Sequence, residues 1–225
     1  MVDVTWDRIP DAYDRVAERY EAQFLDELAA KPFDRALLDR FGDSVDGPVA
    51  DVGCGPGQVG AYLRSPGRPI VGVDVSPAMA ERAATRLDVA VVADLRYLPI
   101  ADGSLGGLVA FYSLIHVPRH EIGDALIGFR RALRAGGRLL LSAHEGTGLI
   151  EQDEFLGTRA PFVATCFSLD ELASAARRAG LVVTAAERRP PYPAEHPTVR
   201  LYVEAVRPTS RDRTGSSHRA TPSAG

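Results

Sequence analysis

Three glycines alternate along Val49-Ala50-Asp51-Val52-Gly53-Cys54-Gly55-Pro56-Gly57, directly after a short apolar run that ends in an acid. A second apolar run, Ile70 to Val73, also ends in an acid, Asp74. This pattern reads as a strand, a glycine turn opening a helix, and a second strand with a carboxylate at its tip. Glycines lacking Cβ let a ligand approach the turn backbone closely. A carboxylate at the tip of the next strand is placed to hold a ribose diol. The pair points to an adenine nucleoside cofactor.

The register decides which one. Gly55-Pro56-Gly57-Gln58-Val59-Gly60 matches G-x-G-x-x-G by letter. In a dinucleotide site, however, the first glycine follows the strand directly, which here is Gly53. Counting from there puts Gln58 where close helix packing wants Gly or Ala. Asp51 suits a cationic ligand and would sit badly beside a pyrophosphate. It could also simply cap the turn. Cys54 lies at a helix start, where thiols are acidified, but a bound cofactor would cover it, so it reads as packing within the cofactor turn.

The D-x-G-x-G-x-G spacing from Asp51 to Gly57 resembles the first motif of class I S-adenosylmethionine (SAM) methyltransferases. Further pieces follow in the family's order: Ala93-Asp94-Leu95, Phe111-Tyr112-Ser113-Leu114-Ile115-His116-Val117 and Leu133-Arg134-Ala135-Gly136-Gly137. The resemblance covers roughly residues 10 to 207 and implies SAM as cofactor. It implies that Asp74 and the adjacent Val75 take the ribose and that Asp94 and Leu95 take the adenine. Phe111 would open the segment lining the methyl-transfer site. Met79 would lie against the adenosine or in the core. Tyr20 would belong to an N-terminal helix folded over the cofactor, or pack the core.

Two histidines fall at strand ends on the acceptor side, His116 and His144. His116 could be a general base, a pocket wall or a hydrogen-bonded histidine at a strand end. His144 could be a base or a pocket residue. A base is useful only when the acceptor carries a proton that must leave. The N-P-P-[YF] motif of family members that methylate adenine or amide nitrogens is absent, since that position reads Phe111-Tyr112-Ser113-Leu114. No metal-ligand spacing is evident. Asp153-Glu154 reads as a solvated acidic pair in a loop.

These residues need a scaffold. Ile9, Tyr13, Val16, Tyr20, Phe24 and Leu28 mark one helix face. Pro32 can open a second helix carrying Phe33, Ala36, Leu37 and Phe41. Ser76-Pro77 is an N-cap with a first-turn proline. Ile122, Ala125, Leu126, Phe129 and Leu133 mark a helix closed by Gly136-Gly137. Ser168 and Glu171 form a capping box for a helix ending at Gly180. Leu181 to Ala186 and Leu201 to Val206 read as a final antiparallel pair, joined by the proline-rich loop Pro190 to Pro197. That loop could rim the acceptor pocket or only connect the strands. Strands alternating with helices give an α/β fold. The expected sheet is open, doubly wound and mostly parallel, seven-stranded in the Rossmann-like manner of the family. Its last strand is antiparallel, and the N-terminal helices within 8–41 form a lid.

The chain has 225 residues, 45% hydrophobic and 25% charged, with net charge −4. That fits one domain over 1–207. No run of about 20 apolar residues spans a membrane, and no secretory signal is evident. Two cysteines are too few for a disulfide framework or a zinc cluster, so the expected setting is cytoplasmic. The mild negative charge disfavours tight nucleic-acid binding. Residues 208–225, without large apolar side chains, are expected to be disordered. The resulting reading is a SAM-dependent methyltransferase whose partner is a small-molecule acceptor at an O, N or C nucleophile. The Glu145–Phe167 segment would help build its pocket. The rival readings are an RNA or protein methyltransferase, a NAD(P)-dependent oxidoreductase, and a SAM-binding protein that does not methylate. Sequence does not indicate an oligomeric state.

Overall fold

The computed structural model describes residues 6–209. The expectation for residues 208–225 therefore falls almost entirely outside the described residues. Helix α1 (Ile9–Phe24) and helix α2 (Pro32–Asp43) precede the sheet. Leu28, expected on the first helix, belongs instead to a separate 3-10 turn, Glu27–Ala30. Strand β1 (Val49–Val52), helix α3 (Gln58–Leu63), strand β2 (Ile70–Asp74), helix α4 (Pro77–Ala83) and strand β3 (Val89–Val92) form the first half. Strand β4 (Leu105–Phe111), helix α5 (Ile122–Ala132) and strand β5 (Leu133–His144) follow. A hairpin of β6 (Leu149–Phe155) and β7 (Thr158–Thr165) stands apart from the main sheet. Helix α6 (Leu169–Arg178) and strands β8 (Val182–Arg189) and β9 (Arg200–Val206) complete the chain.

The main sheet has seven strands in the order β3-β2-β1-β4-β5-β9-β8. β1 to β5 run parallel, and β9 runs antiparallel to both β5 and β8, as expected. Side chains alternate between two buried faces, as period-2 geometry requires. Ala50, Val52, Leu108 and Ala110 join the core under α1, α5 and α6, while Val49 and Val109 join the core under α2 and α3. Truncating a fully buried leucine such as Leu108 to Ala should cost about 2–5 kcal/mol.

Two expectations are corrected. The helix expected to close at Gly136-Gly137 ends at Ala132, because Leu133 turns extended (ψ 140°) and pairs at once with Leu105. The glycine pair lies inside β5, where the pairing with β4 shifts register. Asp153-Glu154, expected in a loop, lies in β6 at another register shift, between Gln152 and Glu154. The Ser168–Glu171 capping box and the Ser76 cap on Met79 N–H form as read.

Parallel strands gather their carboxyl ends at one edge, where open α/β sheets bind ligands. β9 arrives reversed, so its first residue, Arg200, pairs with both His144 and Arg189 at that same edge.

Candidate active site

At one end of this edge the glycine turn behaves as its residues require. Gly53, Gly55 and Gly57 have φ of 70°, 54° and 90°, a region in which L side chains are strained. A Cβ on Gly53 would fall 2.1 Å from Ser113 Cβ, whereas one on Gly55 would meet only Tyr20 Cε1 and Gln58 Oε1, each at 3.7 Å. Asp74 fastens the turn. Its Oδ2 accepts from Gly55 N–H at 2.8 Å and its Oδ1 from Ser76 N–H at 2.9 Å. Burial pushes the Asp74 carboxyl up to about 6, against those hydrogen bonds.

Asp51 is 1% exposed and its Oδ2 accepts from Gly60 N–H at 2.8 Å. A Cβ on Gly60 would fall 3.1 Å from that oxygen. Gly60 thus gives its N–H to Asp51 and lets α3 pack closely on its neighbours, since a Cβ there would meet Leu87 at 2.8 Å and Ile70 at 2.9 Å. Burial raises the Asp51 carboxyl to about 7. Cys54 is buried against β2, its Sγ 2.9 Å from the point a Gly72 Cβ would occupy, and burial raises its thiol above the ordinary range. That is a packing environment and not a nucleophile's.

Two buried polar atoms beside the turn, Gln58 Oε1 and Ser113 Oγ, have no hydrogen-bond partner. Orphaned buried polar groups call for a ligand or water. Together with two acids whose charge burial opposes and a cation would relieve, they fit a small cationic amino-acid ligand on an open backbone turn.

The remaining residues expected on the cofactor side are placed as follows. Val75 is half-buried beside Asp74, and Met79 is fully buried in α4. Asp94 caps the 3-10 turn Leu95–Tyr97 and is bonded to Arg96, which lowers its carboxyl against the cost of burial. Leu95 and Phe111 are half-buried. Tyr20 lies over the turn on α1, which is fastened on several sides. Asp14 accepts from Ser76 Oγ and Ala78 N–H, Glu21 pairs with Arg86, and Arg19 donates to the Leu156 and Gly157 carbonyls of the β6–β7 turn.

At the other end stand the histidines. His116 follows β4 in the 3-10 turn Leu114–His116. Its Nδ1 is 2.9 Å from the Val163 carbonyl, which can only accept, so Nδ1 carries the hydrogen. Its Nε2 accepts from Tyr13 Oη at 2.7 Å. Burial lowers His116 to about 4, so the ring is neutral with its lone pair on Nε2. Tyr13, Tyr20, Phe155 and Phe162 surround this corner with edge-on aromatic contacts.

His144 differs. Its Nδ1 is 2.8 Å from Thr198 Oγ1, and its ring stacks on Tyr112 with centroids 5.2 Å apart. Burial, then Arg200, lower it to about 3. Tyr112 has φ 53°, a strained conformation for a tyrosine that costs about 1–2 kcal/mol. It is fixed there by Ser142, whose carbonyl and Oγ both accept its N–H.

Tyr13, Asp14 and Gln58 carry site geometry that sequence reasoning did not single out, whereas Tyr112 and Ser113 lie in the Phe111–Val117 segment that the resemblance marked. For Tyr13 the signal was present, since it shares Tyr20's helix face. For Asp14 and Gln58, local sequence offers none. Among the described residues no group of three or more His, Cys, Asp or Glu could hold a metal.

Residues 50–141 match the family model described as a methyltransferase domain. The chain is 30% identical over 167 residues to Methyltransferase GfsG of Streptomyces halstedii, covering 63% of this chain and 59% of that protein. It is 30% identical over 128 residues to a malonyl-[acyl-carrier protein] O-methyltransferase of Pseudescherichia vulneris, covering 56% and 49%. The chain thus spans about half to three fifths of the length of these curated relatives. Among solved structures, the DhpI–SAH complex superposes with TM-score 0.70 at 21% identity, over 92% of this chain and 98% of that one. The [4+2]-cyclase SpnF superposes with TM-score 0.66 at 18% identity, over the same shares. Likeness at these identities speaks for the fold.

Proposed function

The chain belongs to the class I S-adenosylmethionine-dependent methyltransferase family, and from that premise we propose that it methylates an oxygen, nitrogen or carbon nucleophile of a small molecule. One observation carries the reading: a left-handed glycine turn tied to Asp74, with two unpartnered buried polar atoms beside it. When bound, SAM supplies a methyl group on a sulfonium. Asp74 with Val75 would hold its ribose, and the Gly53–Gly57 backbone, Gln58 and Ser113 its amino-acid end. Asp94, Leu95 and Met79 would hold the adenine side. Tyr20 and α1 would cover it and exclude water, which in-line displacement favours.

His116 is the better candidate for a base of the two histidines, because its Nε2 keeps a lone pair that now receives the Tyr13 proton. His144, with Nδ1 occupied by Thr198, would line the acceptor pocket together with the β6–β7 hairpin. We read residues 1–207 as one catalytic domain with α1 and α2 as its lid. The malonyl-[acyl-carrier protein] relative and the net charge of −4 favour a small acceptor over a nucleic acid. No helix among the described residues is long and apolar enough to cross a membrane. The two cysteines, buried and unpaired, suit a reducing cytoplasm.

The test has two parts. Calorimetry should show SAM and S-adenosylhomocysteine binding, which NAD does not match. Labelled methyl from SAM should then pass to a component of a small-molecule extract. The second part matters because a cyclase shares the fold, so binding alone does not establish transfer. No binding of SAM would sink the whole reading.

A further inference from the structure

The acceptor end of the edge holds a buried cation whose bonding capacity is not used up. Arg200 is 4% exposed. Its Nη1 donates to the His196 and Thr198 carbonyls and to Thr198 Oγ1, at 3.0, 2.5 and 2.6 Å. Its Nη2 comes only within 3.6 Å of Glu195 Oε2, and its Nε has no partner among the described residues. Nε and Nη2 form the side-on edge of a guanidinium, two parallel N–H groups that match the two oxygens of a carboxylate. Neither nitrogen is among the fully buried polar atoms without a partner, so this edge is open to approach from outside although the residue as a whole is buried.

Glu195 does not fill the gap. It is already held by both Nη groups of Arg189, by Tyr192 N–H and by Lys31. Asp34 is likewise engaged with Tyr202 Oη and Arg189. The acids of this network have their own cations, and Arg200 is left with a spare edge.

His144 adds a donor beside it. Thr198 Oγ1 accepts from Arg200 and lies 2.8 Å from His144 Nδ1, to which it can give its own hydrogen. When Thr198 gives that hydrogen to Nδ1, Nε2 carries the ring's own hydrogen, with no partner among the described residues. The strained Tyr112 ring lies against both, stacked on His144 and 5.7 Å from Arg200 Cζ. The corner offers the Arg200 N–H groups to an incoming ligand, with the already engaged Glu195 carboxylate 3.6 Å from Nη2.

We infer that this corner anchors a carboxylate of the methyl acceptor between the side-on edge of Arg200 and Nε2–H of His144. The inference rests on the methyltransferase reading and names its substrate class: an acid whose nucleophilic atom lies elsewhere in the molecule, toward His116.

The test uses the full chain saturated with S-adenosylhomocysteine and probes it by calorimetry with benzoate against benzamide and hexanoate against hexanamide. Methylphosphonate is a further probe. At least one acid should bind about tenfold more tightly than its amide, the gain of a charge-assisted pair over a neutral one. Arg200→Gln should bring acid and amide within about twofold while S-adenosylhomocysteine affinity stays within about threefold. Should Arg200→Gln not fold, His144→Phe carries the test and should cut the acid preference about threefold or more. Equal binding of acid and amide by the wild-type complex overturns the inference and leaves the cofactor reading standing. Tighter binding of methylphosphonate than of either acid overturns the carboxylate in favour of a tetrahedral oxyanion. Failure of S-adenosylhomocysteine to bind overturns both readings.

Discussion

The two ends of the sheet's carboxyl edge are built by different means. The glycine-turn end is mostly backbone: five consecutive residues, Gly53 to Gly57, bent left-handed at alternate positions and fastened by one carboxylate nineteen residues on. The histidine end is side chains assembled from afar. His116 takes its partners from Tyr13 and Val163, 103 and 47 residues away, and His144 takes Thr198 from 54 residues away. The first end should fail when a single methyl group is added. The second should respond to changes in which nitrogen carries a hydrogen. The two histidines make the point within one corner, for a carbonyl fixes the tautomer of His116, whereas the hydroxyl beside His144 can give or take a hydrogen.

The largest effect is expected at the turn. Gly55→Val puts a branched side chain at φ 54°, which valine resists, and into the space between Tyr20 and Gln58. SAM affinity should fall by ~10²-fold or more. The fold should survive, because the nearest atoms to the added Cβ lie at 3.7 Å. Calorimetry beside a melting curve checks both, and a folded variant with normal affinity would falsify the turn as the cofactor site.

Next comes the histidine comparison. If His116 is the base, His116→Ala should reduce turnover ~10²-fold with SAM affinity nearly unchanged. His144→Ala should chiefly raise KM for the acceptor. The acidic limb of the rate profile belongs near pH 4, where burial puts His116, and not near the ordinary histidine value. Equal losses of kcat in the two variants would erase the distinction drawn from their hydrogen-bond partners.

How much was legible follows the same divide. The glycine turn, Asp74, the capping box and the alternation of strands and helices are local patterns, and each took the form its residues dictate. The reversed β9 was readable because no helix pattern separates the last two apolar runs. The hairpin β6–β7 was not. Its strands pair mainly with each other, and β6 reads Leu149-Ile150-Glu151-Gln152-Asp153-Glu154-Phe155, too polar to announce a strand. The end of α5 was misplaced because strand pairing of Leu133 with Leu105 outweighs the glycine stop signal downstream. Gln58 and Arg200 acquire meaning only through neighbours that the fold brings up, so no spacing rule could have named them.

A smaller effect distinguishes the buried acids. Folding raises Asp51 to about 7 and Asp74 to about 6, well above their unfolded values. The folded state then holds more protons than the unfolded one between about pH 4 and 7, so these groups lower stability as pH rises through that window. Asp51→Asn keeps an acceptor for Gly60 and removes the charge. Without cofactor it should be more stable than wild type by about 1–2 kcal/mol at pH 8 and nearly equal at pH 5. Melting curves at the two pH values decide the matter, and parallel behaviour of both proteins would show that the Asp51 charge is not what burial opposes. The stabilisation given by SAM, a cation, should be greater at pH 8 than at pH 5.

The smallest effect tests how the two ends are joined. Tyr13 sits on α1, the same helix that carries Tyr20 over the turn, and its hydroxyl reaches the His116 ring. Tyr13→Phe keeps the aromatic contacts with Tyr20 and Phe155 and removes one hydrogen bond, worth about 1 kcal/mol or less in the net. Helix α1 has other fastenings at Asp14, Arg19 and Glu21, so SAM affinity should change by no more than about fivefold. His116 Nε2 meanwhile loses its present donor and stands open to an acceptor hydroxyl or amine. If the Tyr13 proton merely holds the place of the acceptor's, the variant should bind acceptor as well as wild type or better, with kcat little changed. If Tyr13 instead relays the proton, kcat should fall as far as it does in His116→Ala. Measuring kcat and KM for the two variants side by side separates these outcomes, and only the first keeps the cofactor end and the acceptor end independent.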